Sequence, residues 1–210
     1  MLKIYATPLS ANGRKVLALS RHLGLNPEIH DVNVYRGEGR SAQYLAVNPS
    51  GKIPALLDGE FMLAESNAIL LYLAEAHGGN RLWSGEPKQR ARIAQWLFWE
   101  SAHWQPALIA FLSAVVGHRL LPDRVPRPQH PPDWNNALVQ PVLKTLETAL
   151  GSGAFLTGPK ATIADFSVAG MMTYFKAADF PFPNFPMICG WYARIESFES
   201  WRETLSPVWA

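Results

Sequence analysis

The alternation of short strand-like and helix-like runs in this chain stops at Gly78-Gly79 and does not resume, so one layered domain cannot account for all 210 residues. Upstream, "LKIYA" (2–6), residues 12–23, "EIHDVNV" (28–34), residues 42–47, "PALL", "FML" and residues 65–76 read in turn as strand, helix, strand, helix, strand, strand, helix. The first two strands are joined through a crossover helix and should be parallel; Asp58-Gly59 is a turn signal that makes the last two a hairpin. Downstream, "GNRLWSGEP" reads as a linker, and only helical periodicity follows.

The helical part begins with a long helix over residues 88–118, where Pro87 suits the first turn and Pro106 predicts a kink. A proline-rich loop (121–133) ends it, and a second helix over about 133–150, interrupted by Pro141, stops at Gly151-Ser152-Gly153. Thr162 and Asp165 form a capping-box variant at the head of "IADFSVAG", and "PNFPMICGWYARIESFESW" supplies a last pair of helices. The fold class expected is α/β plus all-α. A small mixed sheet with flanking helices, of thioredoxin-like pattern, occupies 1–78, a linker 79–87 and a helical-bundle domain 88–210.

Charge narrows the partners. The chain has 19 basic and 17 acidic side chains, and no run of like charges that would serve nucleic acid or an anionic membrane. The longest apolar run, around 107–116, is too short to span a bilayer, and the start lacks a basic-then-apolar leader, so a cytoplasmic protein is expected. Cys189 is the only cysteine, which excludes an internal disulfide and a CxxC redox site. The six histidines lack metal-ligand spacing, so no metal is expected. Eight Trp and ten Phe against 17% charged residues suggest a subunit interface, hence a homodimer.

Three stretches carry candidate chemistry. In "PLSANGRKV", Ser10 reads either as a helix cap or as a hydroxyl donor with Asn12 beside it. In "NPSGKIPALLDG", Pro54 opens an edge strand. A trans bond merely starts that strand; a cis bond would expose the Ile53 N–H and C=O to pair with a short extended ligand. In "ESNAILLYLAE", Glu65 and Ser66 stand where a helix begins. They are either a plain N-terminal cap or an anion site with a carboxylate beside it, suited to the zwitterionic end of an amino acid.

These three stretches, with "FLTGPKATIADFSVAG", resemble the cytosolic glutathione S-transferase family, and in particular bacterial, serine-type members similar to the theta, phi and nu kinds. The likeness runs from Leu2 to about Trp201 and is weakest over 121–133. It implies that Ser10, with Asn12, donates a hydrogen bond to the glutathione sulfur. It also implies that Ile53 pairs with the cysteinyl unit beside a cis-proline, that Glu65 and Ser66 receive the γ-glutamyl end, and that Lys52 meets the glycyl carboxylate. Arg40 is a further helper. Lowering a cysteine-like thiol's pKa by two units takes roughly 2.7 kcal/mol of preferential anion stabilisation.

The electrophilic second substrate would lie between the domains, against Leu9, His103, Trp104 and Phe111, although apolar residues at helical spacing usually face the core and ordinary core packing is the favoured role for most of these aromatics. Many relatives carry Arg where this chain has Asn67, which puts a charge network through that position in question. The function implied is transfer of glutathione, as cosubstrate, to an electrophilic carbon of a small molecule. The alternatives are a glutathione-dependent disulfide reductase using Ser10 and Asn12, and a non-catalytic glutathione- or ligand-binding protein.

Overall fold

The computed structural model describes residues 1–151 and 153–210. Its sheet has the order β2-β1-β3-β4: β1 (Leu2–Tyr5) pairs in parallel with β2 (Glu28–His30) and antiparallel with β3 (Ala55–Asp58), which continues into β4 (Phe61–Ala64). The "EIHDVNV" strand is shorter than its β-rich sequence predicts. β1 ends at Tyr5, opposite His30, so residues beyond it have no ladder to join, and Val34–Arg36 form a 3₁₀ turn capped by the Asn33 side chain. The hairpin turn is also displaced by one residue. Asp58 stays in β3 opposite Phe61, held by a 2.7 Å hydrogen bond from the Tyr72 hydroxyl, and Gly59 takes the left-handed conformation at φ 60°.

Helix α1 (Ala11–His22) fills the space between the sheet side and the helical half. Nine of its twelve residues are buried, and it reaches solvent mainly at its last turn, through Arg21 and His22. Gly13 is required at its start, because a Cβ there would collide with the Thr7 carbonyl. Helices α2 (Ala42–Val47) and α3 (Ser66–His77) complete the thioredoxin-like half. The segment read as a linker is packed rather than loose. Leu82 is buried and its carbonyl accepts from the Ile163 N–H at 3.1 Å, while Arg90 lies over the Trp83 ring.

The long helix is α4 (Pro87–Trp99), a π-helical turn at Glu100–Trp104, and α5 (Gln105–Leu120). The Glu86 carboxylate caps its start through the Lys88 and Gln89 N–H groups. The irregularity expected at Pro106 is spread over the turn before it: the Gln105 N–H reaches back five residues to the Glu100 carbonyl. Proline has no N–H and crowds the carbonyl four residues upstream, which a widened turn relieves.

Pro141 does not interrupt a helix over 133–150; it opens α6 (Gln140–Leu150), in whose first turn a missing N–H costs nothing. Residues 133–139 instead form turns in which Asp133 and Asn136 side chains accept local N–H groups. Gly151, at φ 44°, ends α6; Ser152 of the predicted stop signal lies outside the described residues.

Helices α7 (Ile163–Ala169), α8 (Pro186–Glu196) and α9 (Glu199–Arg202) close the helical half. The Asp165 carboxylate caps α7 from a fully buried position, accepting from the Thr162 and Leu156 N–H groups at 2.8 and 2.9 Å and from the Trp191 indole at 2.9 Å. Burial pushes this carboxyl up from its ordinary range, and the three donors oppose the shift.

Candidate active site in the interdomain cleft

The three candidate stretches meet at one end of the sheet. They line a cavity of about 540 Å³ whose near wall is Asn12, Lys52, Ile53, Pro54, Glu65 and Ser66, and whose far wall is the long helix. The Ile53–Pro54 peptide is cis, and the Ile53 N–H and C=O meet no partner among the described residues. A short extended ligand therefore has one donor and one acceptor to pair with. The loop is braced from beneath: the Tyr44 hydroxyl and the Asn48 side-chain amide donate to the Lys52 carbonyl at 2.6 and 2.7 Å. Burial drives the Tyr44 hydroxyl up to about 12, so it stays a donor.

Glu65 precedes α3 in a left-handed conformation, φ 66° and ψ 115°, rare for a residue with a Cβ and concentrated at functional sites. It leaves the first N–H groups of α3 unblocked by a capping side chain and facing the cavity. The Ser66 hydroxyl donates to the Asn12 Oδ1 at 3.3 Å, which ties the starts of α1 and α3 together. The Asn12 amide N–H groups have no acceptor among the described residues and are available to a ligand.

Ser10 caps α1. Its Oγ accepts from the Gly13 N–H at 3.4 Å, it is 8% exposed, and it stands behind the cavity wall rather than in it. Its hydroxyl proton has no acceptor among the described residues. Cap and donor are thus compatible: the oxygen serves the helix while the proton stays free. Arg40 is likewise outside the wall, with its guanidinium against Gly51 of the Lys52 loop.

The second-substrate residues are the part of the reading that the structure does not bring to this cavity. Trp104 is fully buried, its indole donating to the Val168 carbonyl at 3.0 Å, and Phe111 packs edge-on against Trp134. His103 is exposed away from the cavity, and the Leu9 carbonyl is engaged by Tyr174 and Trp209. The long helix presents Phe98, Ser101, Gln105 and Ile109 instead. Trp104 belongs to the stripe Ile93, Leu97, Glu100, Trp104, Leu108 and Leu112, which recurs at three- and four-residue spacing and faces the core, so it is helical periodicity that turns it away from the cavity.

Below the cavity lies a charge network that sequence reasoning missed. Lys15 and Glu100 are buried to 0% and 1% exposure and pair at 3.2 Å. Asn67 makes all four hydrogen bonds its amide allows. Its oxygen accepts from Lys15 at 2.9 Å and Ser167 at 2.7 Å; its nitrogen donates to Glu100 at 3.0 Å and the Leu97 carbonyl at 2.9 Å. The network is therefore present without an Arg at position 67, its cation coming from α1. Burial lowers the Lys15 ammonium from its ordinary range and Glu100 opposes the shift. A lone acid directly after the aromatic run "WLFW" was the available clue to Glu100.

A thioredoxin-like half and a helical half sharing one cleft define a class of two-domain proteins. Residues 1–75 match the family model "Glutathione S-transferase, N-terminal domain" and residues 132–210 match "Glutathione S-transferase, C-terminal domain". The chain is 28% identical over 211 residues to glutathione S-transferase F10 of Arabidopsis thaliana, covering 97% of this chain and 95% of that protein. It is 32% identical over 170 residues to the "Probable glutathione S-transferase GSTF2" of Oryza sativa subsp. japonica, covering 80% and 79%. Among solved structures, glutathione transferase F2 of Populus trichocarpa superposes with a TM-score of 0.82 at 27% identity, covering 97% of each chain. The chain belongs to the cytosolic glutathione S-transferase family, and its enzyme class is glutathione transferase.

Proposed function

We propose that this transferase binds glutathione against Lys52, Ile53, Glu65 and Ser66 and that Ser10 and Asn12 stabilise its thiolate for attack on an electrophilic carbon of an apolar small molecule. The observation that carries this reading is the convergence, in one cavity, of the unpaired Ile53 backbone groups, the open N-terminus of α3 and the free Asn12 amide. Lys52 supplies a cation for one carboxylate, the head of α3 receives another, and Glu65 faces an ammonium group. Glu65→Ala is expected to weaken glutathione binding by about tenfold or more in calorimetry, the loss of one charge-assisted contact. Unchanged affinity in both Glu65→Ala and Ser66→Ala would overturn the receptor.

A second reading has its own support: Asn12, rather than Ser10, lines the cavity. An amide donor there suits a thiolate that attacks a disulfide sulfur and releases the other half as a thiolate. Comparing conjugation of a chlorodinitrobenzene with glutathione-dependent reduction of a small disulfide separates the two chemistries. Tight glutathione binding with neither activity would favour the binding-protein alternative.

The active form is a homodimer in which the sheet side of one protomer meets the helical half of the other. Phe61 and Met62 on β4 are 49% and 52% exposed and Phe98 on α4 is 73% exposed, apolar surface that a lone protomer leaves in water. Light scattering at micromolar concentration is expected to give twice the 23.4 kDa chain mass, and Phe98→Glu to bring it to the single-chain value. A wild-type protein already at single-chain mass would refute the dimer.

A further inference from the structure

The turn carrying Ser10 is fastened from the far end of the chain. Tyr174, in the 3₁₀ segment Gly170–Tyr174, accepts from the Ala11 N–H at 2.9 Å and donates its own proton to the Leu9 carbonyl at 3.3 Å. Trp209, in the last turn of the chain, donates its indole N–H to the same carbonyl at 3.1 Å. The two rings pack edge to face with centroids 4.8 Å apart, and they are 5% and 1% exposed.

These contacts fall on the two peptide planes that flank Ser10. The Leu9 carbonyl belongs to the plane before it and the Ala11 N–H to the plane after it, so fixing both planes fixes φ and ψ of Ser10, here −94° and 131°. The other polar groups of Ser10 are already occupied. Its N–H donates to the Thr7 carbonyl at 3.2 Å, its carbonyl accepts from the Arg14 N–H at 2.8 Å, and its Oγ accepts from Gly13. Among the described residues only the hydroxyl proton is uncommitted, and its direction depends on a backbone that one phenol holds from both sides.

We infer that Tyr174 and Trp209 are positioning residues of the reaction: by clamping the Leu9 carbonyl and the Ala11 N–H they set the direction in which Ser10 offers its hydroxyl to the glutathione sulfur. This rests on the reading of Ser10 as a sulfur donor. Burial keeps the Tyr174 hydroxyl well above its ordinary pKa, so it remains protonated and able to donate. At such low exposure water has little access to take its place. Through these two side chains, neither of which lines the cavity, the helical half acts on a group of the other half.

Tyr174→Phe retains the ring against Trp209 and removes both hydroxyl contacts. The expected result is a rise in the thiol pKa of bound glutathione, a fall in kcat of about three- to tenfold, and a KM for glutathione within about twofold of wild type. In the double variant with Ser10→Ala, the loss should be no greater than in Ser10→Ala alone, because Tyr174 acts through Ser10. Losses that multiply, or a Tyr174→Phe protein with wild-type thiol pKa while Ser10→Ala is impaired, would overturn the proposal. If Ser10→Ala itself leaves pKa and rate unchanged, it is the donor reading that fails, and the proposal with it. Should Tyr174→Phe not fold, Trp209→Phe, which removes one of the two donors to Leu9, must show a smaller shift of the same sign; no shift there overturns the clamp.

Discussion

Lys15→Met is expected to destabilise the protein by about 3–5 kcal/mol in denaturant unfolding, the cost of leaving one member of a buried ion pair uncompensated. Lys15 and Glu100 have essentially no solvent access, and the pair bridges α1 to the π turn of the long helix. Without the ammonium, the Glu100 carboxylate keeps, among the described residues, only the Asn67 amide at 3.0 Å. The Asn67 oxygen is left with Ser167 as its remaining donor. Adding Glu100→Gln to Lys15→Met should recover most of the loss, since a neutral amide does not demand a counter-charge. A Lys15→Met protein as stable as wild type would show that the charge is dispensable.

The same variant should also weaken glutathione binding, because Asn67 directly follows Ser66 and is the point through which the network holds the head of α3. The double variant separates the two effects: stability returns with charge neutrality, whereas the lost Lys15–Asn67 bond does not. Comparing affinity with unfolding midpoints across the three proteins is the measurement.

Ser10→Ala is expected to raise the pKa of bound glutathione and to cut the conjugation rate by roughly ten- to a thousand-fold, the range for losing one to three tenfold steps of anion stabilisation. Because the Ser10 oxygen also caps α1, the variant should lose about 1 kcal/mol of stability as well. Rates are therefore taken per folded molecule, alongside thiolate absorbance. Glutathione affinity should change much less, since Lys52, Ile53, Glu65 and Ser66 are untouched. Asn12→Ala is the control: if it abolishes the thiolate while Ser10→Ala leaves absorbance and rate intact, Asn12 is the principal donor and disulfide reduction becomes the better reading.

Most of the element order was legible in the sequence because its signals act over a few residues. Pro87 in a first turn, Gly59 in a hairpin and Asp165 three residues after Thr162 each impose a backbone geometry on their neighbours whatever the rest of the chain does. The candidate-site stretches were legible for the same reason: Ile53-Pro54 and Glu65-Ser66 are short stretches whose backbone carries the open groups that the proposed function assigns to glutathione.

What only the tertiary structure decided are matters of burial and of partners distant in sequence. β2 stops at His30 because β1 stops at Tyr5. Trp104 and Phe111 pack inward because Val168 and Trp134 are folded against them, and Phe98 and Ile109 take the cavity side instead. Lys15 is tolerable in the interior only because Glu100, 85 residues away, is folded against it. The Ser10 backbone is held by groups from the far end of the chain, Tyr174 and Trp209. A local pattern expresses the preferences of the backbone, but the free energy of a buried charge or of an orphan N–H depends on what packs against it, and only the whole fold supplies that partner.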